Sequence, residues 1–272
     1  MTVPNAIADI LQKFITQRDQ WRIEDYKKWK ACEEKEDFTP AQVWFRGVSD
    51  TSYKLVPKIY RPSVYELRKF PIKEADEEEI RYAFKSRALQ LISEQHLPST
   101  EKDWYFLMQH YRAPTRLLDW TDGALLAVYF AVRKLPRARD VAVWMLDPAW
   151  LNEEANKIDG GVRISEWPET DPWFPKPFDE VLHPKLPLAL DAPHVARRVA
   201  VQHGHFTIHG TEKDGLDQML ERPNPRLVKF TISGGDIVEI LDDLSTCGIT
   251  ETTIFPDLEG LSRELMRECG GW

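Results

Sequence analysis

The sequence has little cysteine: Cys32, Cys247 and Cys269 lie far apart, and no Cys-x-x-Cys pair is present. A disulfide framework and a zinc knuckle are therefore not expected, and reduced thiols indicate a cytoplasmic protein. No stretch of about 18 apolar residues occurs, so neither a membrane-spanning helix nor a membrane partner is expected. The N-terminus lacks a basic region followed by an apolar run, which argues against a signal peptide.

Common enzyme signatures are also missing. The chain has no Gly-rich phosphate loop, no His-Glu-x-x-His and no Gly-x-Ser-x-Gly, which counts against kinases, Rossmann dehydrogenases, zincins and α/β-hydrolases. A basic excess is lacking too, because 36 Lys and Arg stand against 44 Asp and Glu, a net charge of −8. This balance argues against a protein that covers nucleic acid non-specifically, but it allows a local basic pocket.

What the 272 residues do contain is an ordinary globular composition, with 42% hydrophobic residues and ten tryptophans. Apolar residues at helical spacing predict an amphipathic helix over 6–35, and interleaved strands and helices follow it. The segment 123–135 is apolar nearly all round and predicts a buried helix. This order predicts a single α+β domain with an N-terminal helical extension over 1–39.

Arg46 stands inside a strand candidate over 42–47, QVWFRG. An arginine buried there needs a partner, and Asp119 is a candidate for a structural salt bridge. The alternative is that the guanidinium binds phosphate or carboxylate, with Gly47 allowing a ligand to approach the backbone. Both interpretations stay open on these residues alone.

The segment 109–121, QHYRAPTRLLDWT, concentrates polar side chains in a turn between two predicted helices. A helix start offers N–H groups to an anion, and Trp120 is either part of the core or a stacking wall. The density of polar groups favours a binding site beside Arg46. The candidates in this turn are Gln109, His110, Tyr111, Arg112, Thr115, Arg116, Asp119 and Trp120.

The segment 202–209, QHGHFTIH, supplies three histidines and a glutamine. His203, His205 and His209 share one face of a regular strand, a spacing that allows a metal site. No cysteine or nearby acid completes a ligand set, so no metal is expected. Gln202 is able to point into the same cleft as Arg46.

The segment 251–265 supplies the late acidic candidates, Glu251 and Glu259. Each is either a catalytic acid or part of the solvated surface. Asp257 is a natural N-cap for a final helix, whose predicted buried face consists of Leu258, Leu261 and Leu265.

These motifs together resemble the FRG domain family, named for the Phe-Arg-Gly found here at 45–47. The resemblance implies an FRG domain over 40–268. Its central motif usually has glycine where this chain has Arg112, which places a cation near the site or on its rim. Some members look like parts of stress or anti-phage systems. The segments that carry the resemblance are WFRG (44–47), LVPKIYR (55–61), QHYRAPTRLLDWT (109–121), AVYFA (127–131), VAVQHGHFT (199–207) and IFPDLEGLSREL (254–265).

A looser resemblance links the same Phe-Arg-Gly to ADP-ribosyltransferases of the Arg-Ser-Glu type. It implies their fold, with a central split or antiparallel sheet flanked by helices. In that family the arginine holds the phosphates or ribose of NAD, and a late glutamate stabilises the oxocarbenium-like centre. Arg46 would take the first role and Gln202 or Glu259 would lie near the ribose, although this chain has no Glu-x-Glu or Gln-x-Glu pair.

The resemblance also suggests roles for the 109–121 turn. It implies Thr115 near the nicotinamide, Asp119 as an orienting residue, and His110 and Arg116 as further polar contacts. Trp44, Tyr111 and Trp120 would form an aromatic wall that excludes water.

The first hypothesis is therefore an ADP-ribosyltransferase-like enzyme that consumes NAD, with a toxin or defence role and an unknown protein or nucleic-acid acceptor. A second hypothesis is a non-catalytic module that binds a nucleotide or a partner protein of a defence or stress system. A third is a metal-dependent hydrolase built on the three histidines.

Overall fold

The computed structural model describes residues 5–32, 38, 40, 42–61, 74–92, 97–134, 139–155, 162–164, 168–175, 184–191, 204–219 and 226–270. The helices are α1 (Ala6–Ala31), α2 (Glu74–Ala88), α3 (Glu101–His110), α4 (Ala124–Val132), α5 (Pro148–Trp150), α6 (Leu216–Met219), α7 (Ile237–Thr246), α8 (Glu251–Ile254) and α9 (Leu258–Glu268). The strands are β1 (Trp44–Val48), β2 (Leu117–Thr121), β3 (Val141–Leu146), β4 (Arg163–Ile164), β5 (Leu188–Asp191), β6 (Gly204–Ile208) and β7 (Leu227–Ile232). Within the described ranges, no helix combines the length and apolar character that crossing a membrane requires.

The strands form one sheet in the order β4-β5-β6-β2-β1-β3-β7. Neighbouring strands are antiparallel except β4 and β5, which run parallel at one edge. The predicted α+β class, the antiparallel sheet and the N-terminal helix are therefore confirmed. Residues 117–121, which were predicted to be part of a turn, form the central strand β2 instead.

The sheet is joined weakly at its centre. β1 pairs with β3 along all five of its residues, and β2 pairs with β6 along all five. Between β1 and β2, only Phe45 and Thr121 are in register. The two central strands therefore diverge, and their facing backbone groups become available to other partners.

Helix α4 holds β1 in place on one face of the sheet. As its all-apolar sequence predicted, it is buried, with Ala127, Val128 and Ala131 inaccessible to solvent. It packs against β1, and its core cluster includes Phe14 from α1 and Ile240 from α7. This apolar layer fixes the strand that carries Arg46.

The final helix α9 corrects one prediction. Asp257 is its N-cap, as expected, and accepts a hydrogen bond from the Gly260 amide at 2.7 Å. Its leucine face is not buried, because the helix is attached through the arginines of its other face, which bind Glu251. The exposed fractions are 84%, 42% and 50% for Leu258, Leu261 and Leu265.

Candidate functional site

A broad cleft of about 1750 Å³ opens where β1 and β2 diverge. Its walls come from β1, from the segment 48–61 that follows it, from the end of α3 with the turn after it, and from β2. The structure thus brings Arg46 and several side chains of the 109–121 segment to one cavity. Two residues of β6, Gly204 and Phe206, also line it.

Arg46 crosses the gap between the diverging strands. Its Nη1 donates to the carbonyl oxygen of Asp119 at 2.5 Å and lies 3.8 Å from a carboxylate oxygen of the same residue. Burial lowers the pKa of Arg46 to about 10, with Asp119 opposing the shift and Arg61 adding to it. The guanidinium therefore stays charged at neutral pH. Among the described residues, its Nε and Nη2 have no hydrogen-bond partner, so they are available to a ligand.

The cleft is basic although the protein is acidic. Eight basic and three acidic residues line it, in a chain of net charge −8. A concave surface with an excess of one sign of charge concentrates ligands of the opposite sign. The basic residues are Arg46, Lys54, Lys58, Arg61, Arg112, Arg133, Lys134 and Lys213, and the acidic ones are Asp103, Asp119 and Asp214.

A short chain of hydrogen bonds orients the Asp119 carboxylate. Buried Thr115 donates to the Gln109 side-chain oxygen, and the Gln109 amide donates to Asp119 Oδ1 at 2.9 Å. The Asp119 side chain remains 61% exposed to the cleft. Thr115 thus acts through Gln109 and does not itself line the cavity.

Arg116 lies in the core, which corrects its assignment as a ligand contact. Its guanidinium is 3% exposed and binds Glu77 of α2, with Nε at 2.8 Å and Nη2 at 2.6 Å. Tyr105 completes the cluster, because its hydroxyl donates to Glu77 and accepts from the Arg116 amide. The Arg116 side chain therefore anchors the turn to α2 and does not line the cleft.

The late acidic candidates also lie outside the cleft lining. Glu259 is exposed on α9, where it pairs with Arg263 one helical turn later. Glu251 is buried in a cluster behind α4. Neither lines the cavity, which corrects the assignment of Glu259 near the ribose. Gln202, the other ribose candidate, lies outside the described residues.

Glu251 is the common partner of a hydroxyl and three arginines. Tyr129 donates to it, Arg133 Nη2 lies at 2.8 Å, Arg263 Nε at 2.6 Å and Arg267 Nη2 at 3.3 Å. Burial alone would raise the pKa of Glu251, but the Tyr129 hydrogen bond and the arginine charges outweigh it and lower that pKa. The cluster ties α9 to the end of α4.

A lowered pKa predicts an acid dependence of stability. The stabilisation by Glu251 is present above its unfolded pKa of about 4.3 and is lost as pH falls through the folded value. We therefore expect the free energy of unfolding to decrease as the pH is lowered beneath about 4.5. Urea unfolding of the wild type and of Glu251→Gln between pH 7 and 3 checks this. The variant should be less stable at pH 7 and lose less stability on acidification; parallel curves would contradict it.

Gly47 lines the cleft, but its backbone also faces α4. A Cβ there would lie 2.0 Å from the Ala127 carbonyl oxygen and 2.6 Å from the Ala131 amide nitrogen. The glycine is therefore required for close packing of strand on helix. Ligand approach, the reason inferred from sequence, is not needed to explain it.

The predicted aromatic wall is only partly assembled. Tyr111 is 64% exposed at the rim and packs edge-to-face on His110, with ring centroids 5.0 Å apart. Trp120 lines the cleft but is 3% exposed, and its indole N–H donates to Thr207. Trp44 is part of the core and stacks on His205 instead.

The histidines do not assemble as a metal site within the described ranges, where no three His, Cys, Asp or Glu side chains are grouped to hold an ion. His205 is bound through Nδ1 to Asp191 at 2.5 Å. His209 is fully buried, and burial lowers its pKa to about 3. His203 lies outside the described residues.

Comparison with known proteins identifies one family. Residues 41–140 match the FRG domain, so the resemblance to that family is confirmed over this range. The match includes β1, the 109–121 segment and α4; the motifs at 199–207 and 254–265 lie outside it. No curated protein and no solved structure matched the chain.

Some cleft residues were not singled out from the sequence. Lys58 and Arg61 belong to the LVPKIYR motif, where a short 3-10 helix over Lys58–Tyr60 follows Pro57, but neither residue was given a role. Arg133 ends α4 and was included only as the edge of an apolar helix. In the folded chain, all three residues line the same cleft as Arg46.

Proposed function

We propose that the cleft binds a nucleotide with a diphosphate group, and that NAD is its expected ligand. The observation that carries this proposal is the position of Arg46 at the base of a basic cleft, charged and with two nitrogens available. A guanidinium recognises phosphate oxygens through two parallel hydrogen bonds, which a lysine cannot do.

The remaining lining supports a nucleotide over a simple anion. Tyr111 and His110 offer aromatic faces at the rim, on which a base or a nicotinamide ring can stack. Gln109 and Asp119 offer a hydrogen-bond donor and an acceptor beside Arg46. The cavity of about 1750 Å³ is larger than a single phosphate or small sugar needs.

A second candidate function is cleavage of NAD, with ADP-ribosyltransferase-like chemistry and fold. Its support is the Asp119 carboxylate, which is exposed to the cleft, oriented by Gln109 and 3.8 Å from Arg46. When the glycosidic bond breaks, nicotinamide leaves with the bonding electrons and the ribose carbon becomes cationic. A carboxylate beside that carbon stabilises the charge, and water or an acceptor then adds with loss of a proton. A toxin or defence role and a macromolecular acceptor belong to this second candidate.

The first test replaces Arg46 by alanine. We expect NAD to raise the melting temperature of the wild type, and we expect Arg46→Ala to weaken binding about 10- to 100-fold because charge-assisted hydrogen bonds are lost. Titration calorimetry and thermal unfolding with and without NAD measure this. Arg18, a half-exposed arginine of α1 that pairs with Asp19 and does not line the cleft, provides the matched control: Arg18→Ala should bind as the wild type does. The proposal would be overturned if none of NAD, ADP-ribose and ADP raised the melting temperature of the wild type.

Nicotinamide release separates the two candidates. Release that disappears in Asp119→Asn, while that variant still binds NAD, would support NAD cleavage. Binding without release, with or without cell extract, would support a binding module. Release unchanged in Asp119→Asn would refute the role given to this carboxylate.

A further inference from the structure

Arg112 has a backbone conformation that arginine rarely adopts. Its φ is +60°, and no other non-glycine residue in the described ranges has a positive φ. It directly follows Tyr111, the C-cap of α3, at a position where helices most often place glycine. A side chain with a Cβ is disfavoured in this left-handed region. Glycine would therefore be the more stable choice.

The surrounding turn holds the strained residue in place. The Arg112 amide donates to the Gln109 carbonyl at 2.9 Å, and the next amide, of Ala113, donates to the Met108 carbonyl at 2.9 Å. Lys58, which also lines the cleft, donates to the Arg112 carbonyl. Strain that the structure maintains in this way is concentrated at functional sites.

The side chain of Arg112 is exposed and lines the cleft. Arg133, which is half-buried, lines the same cleft. Burial lowers the pKa of Arg133, Glu251 opposes the shift, and the charges of Arg263 and Arg112 lower it further. Arg112 and Arg133 therefore bring two like charges to the same cleft. Glu251 cannot neutralise this end of the cleft, because it also binds two arginines of α9.

We infer that Arg112 and Arg133 form a second phosphate subsite in the cleft, which takes a phosphate monoester carried by the same ligand that Arg46 holds. This inference rests on the proposed nucleotide binding. A monoester carries close to two negative charges at neutral pH and accepts several hydrogen bonds. It matches two guanidinium groups: Arg112 has no acidic partner among the described residues, and Arg133 shares Glu251 with two arginines of α9. The ligand class is a dinucleotide with an additional phosphate, for which NADP is the test compound.

The test uses NAD and NADP, which differ by one phosphate monoester. We expect the wild type to bind NADP about tenfold more tightly than NAD, as one additional charged contact provides. Arg112→Gly should abolish this preference, because it should weaken NADP binding about tenfold more than it weakens NAD binding. The same substitution should raise the melting temperature of the unliganded protein by about 2–4 °C, because strain is relieved. A purely structural residue would not combine higher stability with a lost ligand preference.

Arg112→Asn is the second variant, because asparagine tolerates the left-handed region but carries no charge. It should lose the NADP preference as Arg112→Gly does. If the wild type binds neither dinucleotide, the proposed function fails and this inference with it. If the wild type binds both equally, or if the variants keep the preference for NADP, only the second subsite is refuted.

Discussion

Replacing Glu77 by alanine is expected to destabilise the protein by about 3–5 kcal/mol, because the change leaves the Arg116 charge buried without its partner. Both side chains are less than 5% exposed, and Tyr105 also loses the acceptor of its hydroxyl. Urea unfolding at pH 7 measures the loss. The turn that precedes β2 depends on this ion pair. The fraction of molecules able to bind ligand should therefore fall in proportion to the fraction that is unfolded.

The control lies on the same helix. Glu79 is exposed, and Glu79→Ala should change stability by no more than about 0.5 kcal/mol. The double variant Glu77→Ala, Arg116→Met should recover part of the loss, because a buried ion pair can be replaced by apolar groups at little cost. A single variant that costs less than about 1 kcal/mol, or losses that simply add in the double variant, would contradict this account.

The role of Arg116 was beyond sequence reasoning for a physical reason. Its partner Glu77 lies in an acidic helix 39 residues earlier, and nothing local distinguishes that acid from its neighbours. Asp119 is a nearer acid, only three residues from Arg116 in the sequence. Residues 117–121, however, form a strand and not the expected turn, and in an extended chain two residues three apart point to opposite faces, which separates these side chains.

Arg46 and the 109–121 segment could be placed together because both carry polar groups beside strongly apolar elements. Such groups need either a partner or a ligand. The late acids could not be placed, because an acidic residue on an amphipathic segment has the same local pattern whether it faces a cleft or solvent. Glu251 illustrates this: its burial depends on arginines from α4 and α9, which meet only in the folded chain.

The strain at Arg112 shows a different limit. The sequence contains an arginine where related proteins are expected to have glycine, but the backbone angle that gives this difference its meaning is a property of the folded turn. A pattern of residue types predicts where a helix ends. It does not predict that the residue after the end has a positive φ.

Gly47→Ala is expected to destabilise the protein by about 3 kcal/mol, at the upper end of the usual cost of overpacking a core. The added methyl group would meet the backbone of α4 at 2.0 Å and 2.6 Å, and backbone atoms cannot rotate away as a side chain can. Either α4 moves outward or β1 shifts toward the cleft. Both movements displace Arg46, so ligand affinity should fall even in the molecules that remain folded.

Gly235→Ala provides the matched control, since the nearest atom to its added methyl group is the Ser233 hydroxyl oxygen at 3.6 Å, an ordinary contact. It should unfold within about 0.5 kcal/mol of the wild type. Chemical denaturation gives the stability of both variants, and calorimetry at a temperature where both are folded gives their affinity. A Gly47→Ala protein of wild-type stability would show that α4 is not packed on β1 as closely as the structure has it. A destabilised variant with unchanged affinity would show instead that Arg46 tolerates a shift of its strand, and that the glycine of the Phe-Arg-Gly motif serves the fold alone.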